Sequence, residues 1–272
     1  LICEVAMLKN LLVRLRQGHR TVGYPAQEPT LPARFRGQPA LELSRCPEGC
    51  SACVDACPTQ AIDVGVGPGK LRLDLGRCLF CAACESACPN GAIRFSRDHR
   101  LAASGRADLI VGDGEESRLA RTLDEKMRRL FGRSLKLRQV CAGGCGACEA
   151  DLNVLTTVVF DIGRFGIEFV ASPRHADGLI VTGPVTRNMR HALAETYAAV
   201  PQPKIVIAVG ACAISGGPFE GHAEVHDGVS SVLPVDLYIP GCPPHPITIL
   251  DGLLRLLGRL ERDPARATVE PA

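Results

Sequence analysis

Cys46-Pro47-Glu48-Gly49-Cys50-Ser51-Ala52-Cys53-Val54-Asp55-Ala56-Cys57-Pro58 is followed twenty residues later by Cys78-Leu79-Phe80-Cys81-Ala82-Ala83-Cys84-Glu85-Ser86-Ala87-Cys88-Pro89. The second run is C-x2-C-x2-C-x3-C-P without a residue out of place, and the first differs by one extra residue between Cys46 and Cys50. Three thiolates two residues apart wrap three corners of a [4Fe–4S] cube because a tight loop turns them inward, and the fourth corner is reached from outside that loop. The closing proline keeps the backbone from winding on into helix. On this pattern Cys46, Cys50, Cys53 and Cys88 hold one cluster, and Cys78, Cys81, Cys84 and Cys57 hold the second. The tails Pro58-Thr59-Gln60-Ala61-Ile62 and Pro89-Asn90-Gly91-Ala92-Ile93 mark an internal duplication. Gly49 is the residue suited to absorb the extra length. Zinc, the alternative for clustered cysteines, favours ligand pairs separated by a longer spacer.

The 272 residues suffice for two modest domains, and 46% hydrophobic with 22% charged residues is ordinary globular usage. A net charge of +2 gives no electrostatic case for nucleic acid as the main partner. Fourteen cysteines would mean disulfides in a short secreted chain. Here they sit in cluster spacing with no secretory signal ahead of them, which points to a reducing compartment, the cytoplasm. No run of 18 apolar residues is present, so no segment reads as a membrane span. Leu1 in place of Met suggests that the true start is missing or miscalled.

Residues 1–39 read as an arm. No acidic residue falls between Glu4 and Glu28, while Lys9, Arg14, Arg16, His19 and Arg20 are interspersed with Met7, Leu8, Leu11, Leu12, Val13 and Leu15. This predicts a short basic amphipathic helix, either lying on an anionic membrane surface or membrane subunit, or solvated with a core-facing stripe. Pro25, Pro29, Pro32 and Pro39 stiffen the strap that follows, which is expected to wrap a partner. Residues 40–100 set the cysteine runs among short strands at 61–64, 71–73 and 92–95, with a turn at 65–69 between the first two, and two adjacent cubes make an electron wire. Residues 101–138 read as a connector, with Leu119, Leu123, Met127 and Leu130 at helical spacing and Gly132 as the cap.

Residues 139–272 have the pattern of an α/β unit. Leu179-Ile180-Val181 and Ile205-Val206-Ile207-Ala208-Val209 are continuous apolar runs, as in strands buried on both faces of a parallel sheet. Arg187 to Val200 between them is helical in character, and Val235 to Ile239 precedes a closing helix from Pro246 to Leu260. Cys212 and Cys242 follow strand ends, the edge at which open α/β sheets bind ligands. Cys145 and Cys148 share the glycine-rich loop Gly143-Gly144-Cys145-Gly146-Ala147-Cys148-Glu149. Four thiolates from three loops enclose a third [4Fe–4S] cube, a zinc ion, or nothing if they are buried free thiols.

That loop, together with Phe169 to Asp177, Val181-Thr182-Gly183-Pro184-Val185-Thr186, Val209 to Gly217 and Pro240-Gly241-Cys242-Pro243-Pro244-His245-Pro246, resembles the small subunit of membrane-bound group 4 [NiFe] hydrogenases. That family is homologous to the terminal-cluster subunit of complex I, the respiratory NADH-quinone oxidoreductase, and formate hydrogenlyase contains a member. The resemblance covers nearly all of residues 135–262. Residues 20–100 resemble the separate ferredoxin-like subunit of the same complexes, so the chain looks like two neighbouring subunits fused. The implied fold is a small doubly wound, flavodoxin-like parallel sheet preceded by an α+β two-cluster ferredoxin-like domain.

The resemblance implies that Cys145, Cys148, Cys212 and Cys242 ligate the third cluster. Complex I has two adjacent cysteines where this chain has C-x2-C, so the hydrogenase branch fits better. Cys141 reads as a spare thiol beside the cluster, Cys3 as an unpaired thiol, Glu149 as an exposed helix-start carboxylate and His245 as structural. The implied function is an oxidoreductase subunit with no catalytic residues of its own, relaying electrons through three [4Fe–4S] clusters to or from a nickel–iron site in a large subunit. The implied partners are that [NiFe] large subunit, membrane subunits of a complex I-like module, and a ferredoxin or formate dehydrogenase as electron donor or acceptor, at the cytoplasmic face of the membrane. The rivals are an equivalent subunit of a complex I-like assembly without hydrogenase activity and a structural zinc or interaction scaffold.

Overall fold

The computed structural model describes residues 2–47, 49–64, 71–112, 118–132 and 134–260. Helix α1 (Ile2–Gln17) leads the chain, with Leu12, Val13 and Leu15 exposed beside Arg14 and Arg16. The side chains of Met7, Leu8 and Leu11, which complete the arm's expected stripe, and that of Cys3, expected as an unpaired thiol, lie outside the described residues, as does the turn at 65–69.

The amino-terminal unit is small. It contains β1 (Pro39–Leu41), α2 (Ala52–Asp55), β2 (Ile62–Val64), β3 (Leu71–Asp74), α3 (Ala83–Ala87), β4 (Ile93–Phe95) and β5 (Ile110–Val111). Strands β1 and β4 pair antiparallel, as do β2, β3 and β5, so the connector contributes an edge strand through Leu73↔Val111. The duplication is structural as well as sequential. Ala61 N–H donates to Cys57 Sγ at 3.2 Å, and Ala92 N–H donates to Cys88 Sγ at 3.2 Å.

After α4 (Glu125–Phe131) the α/β unit runs β6 (Leu135–Cys141), α5 (Ala147–Val154), β7 (Ile167–Phe169), β8 (Gly178–Thr182), α6 (Arg187–Ala199), β9 (Ile205–Val209), α7 (Ala211–Ser215), β10 (Leu237–Ile239) and α8 (Pro246–Leu256). The five strands are all parallel in the order β10-β9-β8-β6-β7, the flavodoxin-like arrangement. Strands β8 and β9 are buried at every position, as continuous apolar runs dictate. Strand β6 alternates instead, starts at Leu135 and lies at the point where strand order reverses. On α8, Ile249, Leu250, Leu253 and Leu254 are fully buried, each contributing about 1.5–3 kcal/mol relative to exposure.

Two local expectations are corrected. Helix α4 is capped by Asp124, whose carboxylate accepts from Met127 N–H, and Leu123 lies outside the helix, its N–H donating to Leu256 O. The strap, expected to bury little on its own account, packs against its own chain. Val22 N–H donates to Val159 O, Arg164 donates to the carbonyls of Val22 and Tyr24, and buried Tyr24 donates to Asp251 at 2.5 Å. Asp251, with no exposed surface, is also paired with Arg255 Nε at 2.9 Å, so its buried charge is compensated. The two units share one core, with Leu73, Leu75 and Leu109 in the same cluster as Leu179 and Val181. Ser215 Oγ donating to Gly76 O and the Arg77–Glu220 ion pair add polar links across the same boundary.

Candidate functional site

Twelve thiols fall into three groups. In the first, Cys46 lies within electrostatic reach of Cys50 and Cys88, and Cys53 within reach of Cys46 and Cys50. In the second, Cys57 and Cys81 act on Cys78 and Cys84, and all four line one cavity with Thr59, Leu73 and Phe95. The fourth cysteine of each run thus sits with the other run's three. Phe80 and Ala82 take positive φ (53° and 62°), which winds the second loop tightly enough to turn its thiols inward. Gly49 does the corresponding work in the longer first loop, at φ 76°.

The third group is assembled by the parallel sheet. Cys145 and Cys148 follow β6, Cys212 follows β9 and Cys242 follows β10, all at the carboxyl edge. Cys148 is within reach of Cys145, Cys212 and Cys242. Gly210 makes the closure possible, since a Cβ there would lie 2.6 Å from Cys148 Sγ. Cys145 and Cys242 remain exposed. Cys242 is also within reach of Cys81, so the second and third groups adjoin.

Helices α2, α3, α5 and α7 each open on Ala-Cys, placing Cys53, Cys84, Cys148 and Cys212 in a first turn where N–H groups lack helical partners. Backbone N–H groups accordingly favour the thiolates of Cys53, Cys84 and Cys212, which suits a ligand set with net negative charge. Burial works the other way. It pushes Cys78 up to about 12 and Cys84 and Cys212 up to about 11, with neighbouring thiols adding to the shift, and it drives Cys148 higher still. Cys88 is the exception: burial is outweighed by converging N–H groups of Ala92, Asn90, Ile93 and Gly91, which hold it below the usual thiol range. Thiols kept neutral by burial become ligands when a cationic metal centre displaces their protons. Four thiols in each group, a walled cavity at the second and amide donors to Cys53, Cys84, Cys88 and Cys212 fit a polynuclear iron–sulfur group.

Of the remaining residues, His245 caps α8, its Nδ1 accepting from Ile247 N–H, with Phe35 and Phe160 edge-on to its ring. Cys141 is exposed and its thiol lies beside the Glu149 carboxylate, favouring its charged form. Glu149 turns inward, accepting from Thr182 Oγ1 at 2.5 Å, rather than pointing to solvent. No motif chemistry marks Thr182; its position at the end of β8, facing the glycine-rich loop, is what brings it to the site.

Residues 145–256 match the family described as NADH ubiquinone oxidoreductase, 20 Kd subunit, and residues 27–93 match the 4Fe-4S dicluster domain. Formate hydrogenlyase subunit 7 of Escherichia coli is 44% identical over 145 residues, covering 52% of this chain and 57% of the relative. The probable membrane-bound hydrogenase subunit mbhJ of Pyrococcus furiosus is 37% identical over 153 residues, 56% of this chain and 91% of the relative. An NADH-quinone oxidoreductase subunit of Heliobacterium modesticaldum is 42% identical over 126 residues, 46% and 71% respectively. This chain therefore spans little more than half of the first relative and most of the second. With these relatives all oxidoreductase subunits, the chain belongs to the NADH ubiquinone oxidoreductase 20 Kd subunit family, joined to an amino-terminal 4Fe-4S dicluster domain.

Proposed function

We propose that the chain is the electron-relay subunit of a membrane-associated, hydrogenase-type complex. Cys46, Cys50, Cys53 and Cys88, then Cys57, Cys78, Cys81 and Cys84, then Cys145, Cys148, Cys212 and Cys242 each hold a [4Fe–4S] cluster. When bound, such clusters supply one-electron carriers. The observation that supports the relay best is the Cys81–Cys242 juxtaposition, which brings the amino-terminal thiols against the sheet-edge thiols. The chain positions its sulfurs, buries them and presents backbone N–H groups to them; it offers no bond-making residue of its own.

Exposed Cys145 and Cys242, with Val154, Val158 and Val159 nearby in sequence, leave the third site open to a partner, for which a nickel–iron large subunit is the fitting occupant. No helix among the described residues is long and apolar enough to cross a membrane. The exposed Leu12 and Leu15 beside Arg14 and Arg16 on α1 support peripheral attachment to a cytoplasmic membrane face or to membrane subunits there. The C-x2-C spacing of Cys145 and Cys148 favours the hydrogenase branch over a complex I-like assembly.

The test is metal content of the anaerobically prepared complex. About twelve irons per chain with absorbance near 400 nm that bleaches on reduction, plus nickel in the large subunit, is the expected result. Iron without nickel or hydrogen evolution would reassign the chain to the complex I-like branch, and a colourless zinc-loaded chain would overturn the relay altogether.

A further inference from the structure

We infer that Glu149 is a fixed anion that sets the reduction potential of the third cysteine site. The inference rests on the reading that Cys145, Cys148, Cys212 and Cys242 hold a [4Fe–4S] cluster. Glu149 follows Cys148 in the first turn of α5, and its carboxylate is tied to the sheet. Thr182 Oγ1, at the end of β8, donates to Oε1 at 2.5 Å, and the thiol of Cys141, at the end of β6, lies beside the carboxylate and favours its charged form. The carboxylate is tucked beneath the glycine-rich loop, where a Cβ on Gly144 would come within 3.7 Å of Oε1. A neutral hydroxyl donor fixes its place without neutralising it, and its charge acts on both Cys148 and Cys212.

In the first two sites, Cys46, Cys53, Cys78 and Cys84 feel burial first, then neighbouring thiols and backbone amides, with no carboxylate among these influences. An uncompensated negative charge in a half-buried position disfavours adding an electron nearby, because Coulomb repulsion is poorly screened there. Glu149 therefore lowers the third site's potential relative to the second, and so sets the energetic step between them. Thr182 and Cys141 are positioning residues that keep the carboxylate turned inward.

The experiment is an anaerobic redox titration of the full chain in its complex, followed by electron paramagnetic resonance. The third site's signal is assigned by its loss in Cys212→Ala. In Glu149→Gln, which keeps the shape and removes the charge, that midpoint should rise by about 59 mV or more, a tenfold change for a one-electron couple. The other two midpoints and the iron content should stay as they are. The double variant Thr182→Val/Cys141→Ala, which keeps the charge but frees it to turn to solvent, should shift the same midpoint upward by less. A fully loaded Glu149→Gln with an unchanged third midpoint, or with all three midpoints moved together, overturns the inference. If Glu149→Gln does not assemble, an unchanged midpoint in the fully loaded double variant overturns it instead. A wild-type chain with only about eight irons would sink the three-cluster reading, a separate and distinguishable failure.

Discussion

Gly210→Ala tests the third site at the point where backbone and ligand come closest. Gly210 has φ 90°, and an added Cβ would lie 2.6 Å from Cys148 Sγ. Carbon and its neighbours settle at about 3.5–4.0 Å, so the sulfur or the strand end must move by about 1 Å. Metal–ligand distances tolerate about 0.2 Å, several times less. The backbone there, at φ 90° and ψ 156°, lies in a region adopted essentially only by glycine and adds roughly 1–3 kcal/mol of strain for a residue with a side chain. The strain alone would leave a folded chain, but the displacement removes one of four ligands. Iron should therefore fall from about twelve to about eight per chain, with the first two sites intact. Iron and acid-labile sulfide analysis, with the reduced-state resonance spectrum, reads this directly. Gly221→Ala is the control: its φ is 76°, but nothing lies within 4 Å of the added Cβ, so full iron content is expected. A Gly210→Ala chain with wild-type iron and a native third signal would refute the assignment of Cys148 as a ligand.

The strap lock can be probed with Tyr24→Phe, which leaves fully buried Asp251 short of one donor and should cost about 1–3 kcal/mol in chemical denaturation; unchanged stability would mean that Tyr24 contributes only its ring. Acidification acts on the same region. Burial holds His99 and His245 below the usual imidazole range; the nearby Asp251, Asp98 and Glu28 oppose this at His99, Arg100 reinforces it, and His99 itself adds to the depression at His245. The unfolded chain then binds protons more readily than the folded one once pH drops below about 6.5, so stability should fall with pH from there. His99→Gln should flatten that slope, and an unaltered profile would exclude His99 as its source.

Much of the site was legible because its chemistry is local. The cysteine spacing of residues 46–89 depends on how one loop folds around one object, and the Ala61 and Ala92 amides that answer Cys57 and Cys88 repeat with the sequence. Strands β8 and β9 announce themselves because residues buried on both faces must be apolar without interruption. Strand β6 does not, since Lys136 and Arg138 interleave its buried leucines, and only its neighbours reveal that it is the strand where the order reverses. Leu119 and Leu123 fit a helical period, yet Leu123 pairs with Leu256 instead, a contact 133 positions away that no local pattern encodes.

From the amino-acid order alone came the two-run cysteine cage, the parallel α/β pattern and the ends of strands at which Cys212 and Cys242 fall, all short-range consequences of residue type and spacing. Only the folded chain decided that the strap closes on Asp251, that Cys81 comes within electrostatic reach of Cys242, and that Glu149 faces Thr182 and Cys141. Each of these joins segments distant in sequence, and such contacts are chosen by the packing of whole units, where the burial of a shared core outweighs any single residue's preference.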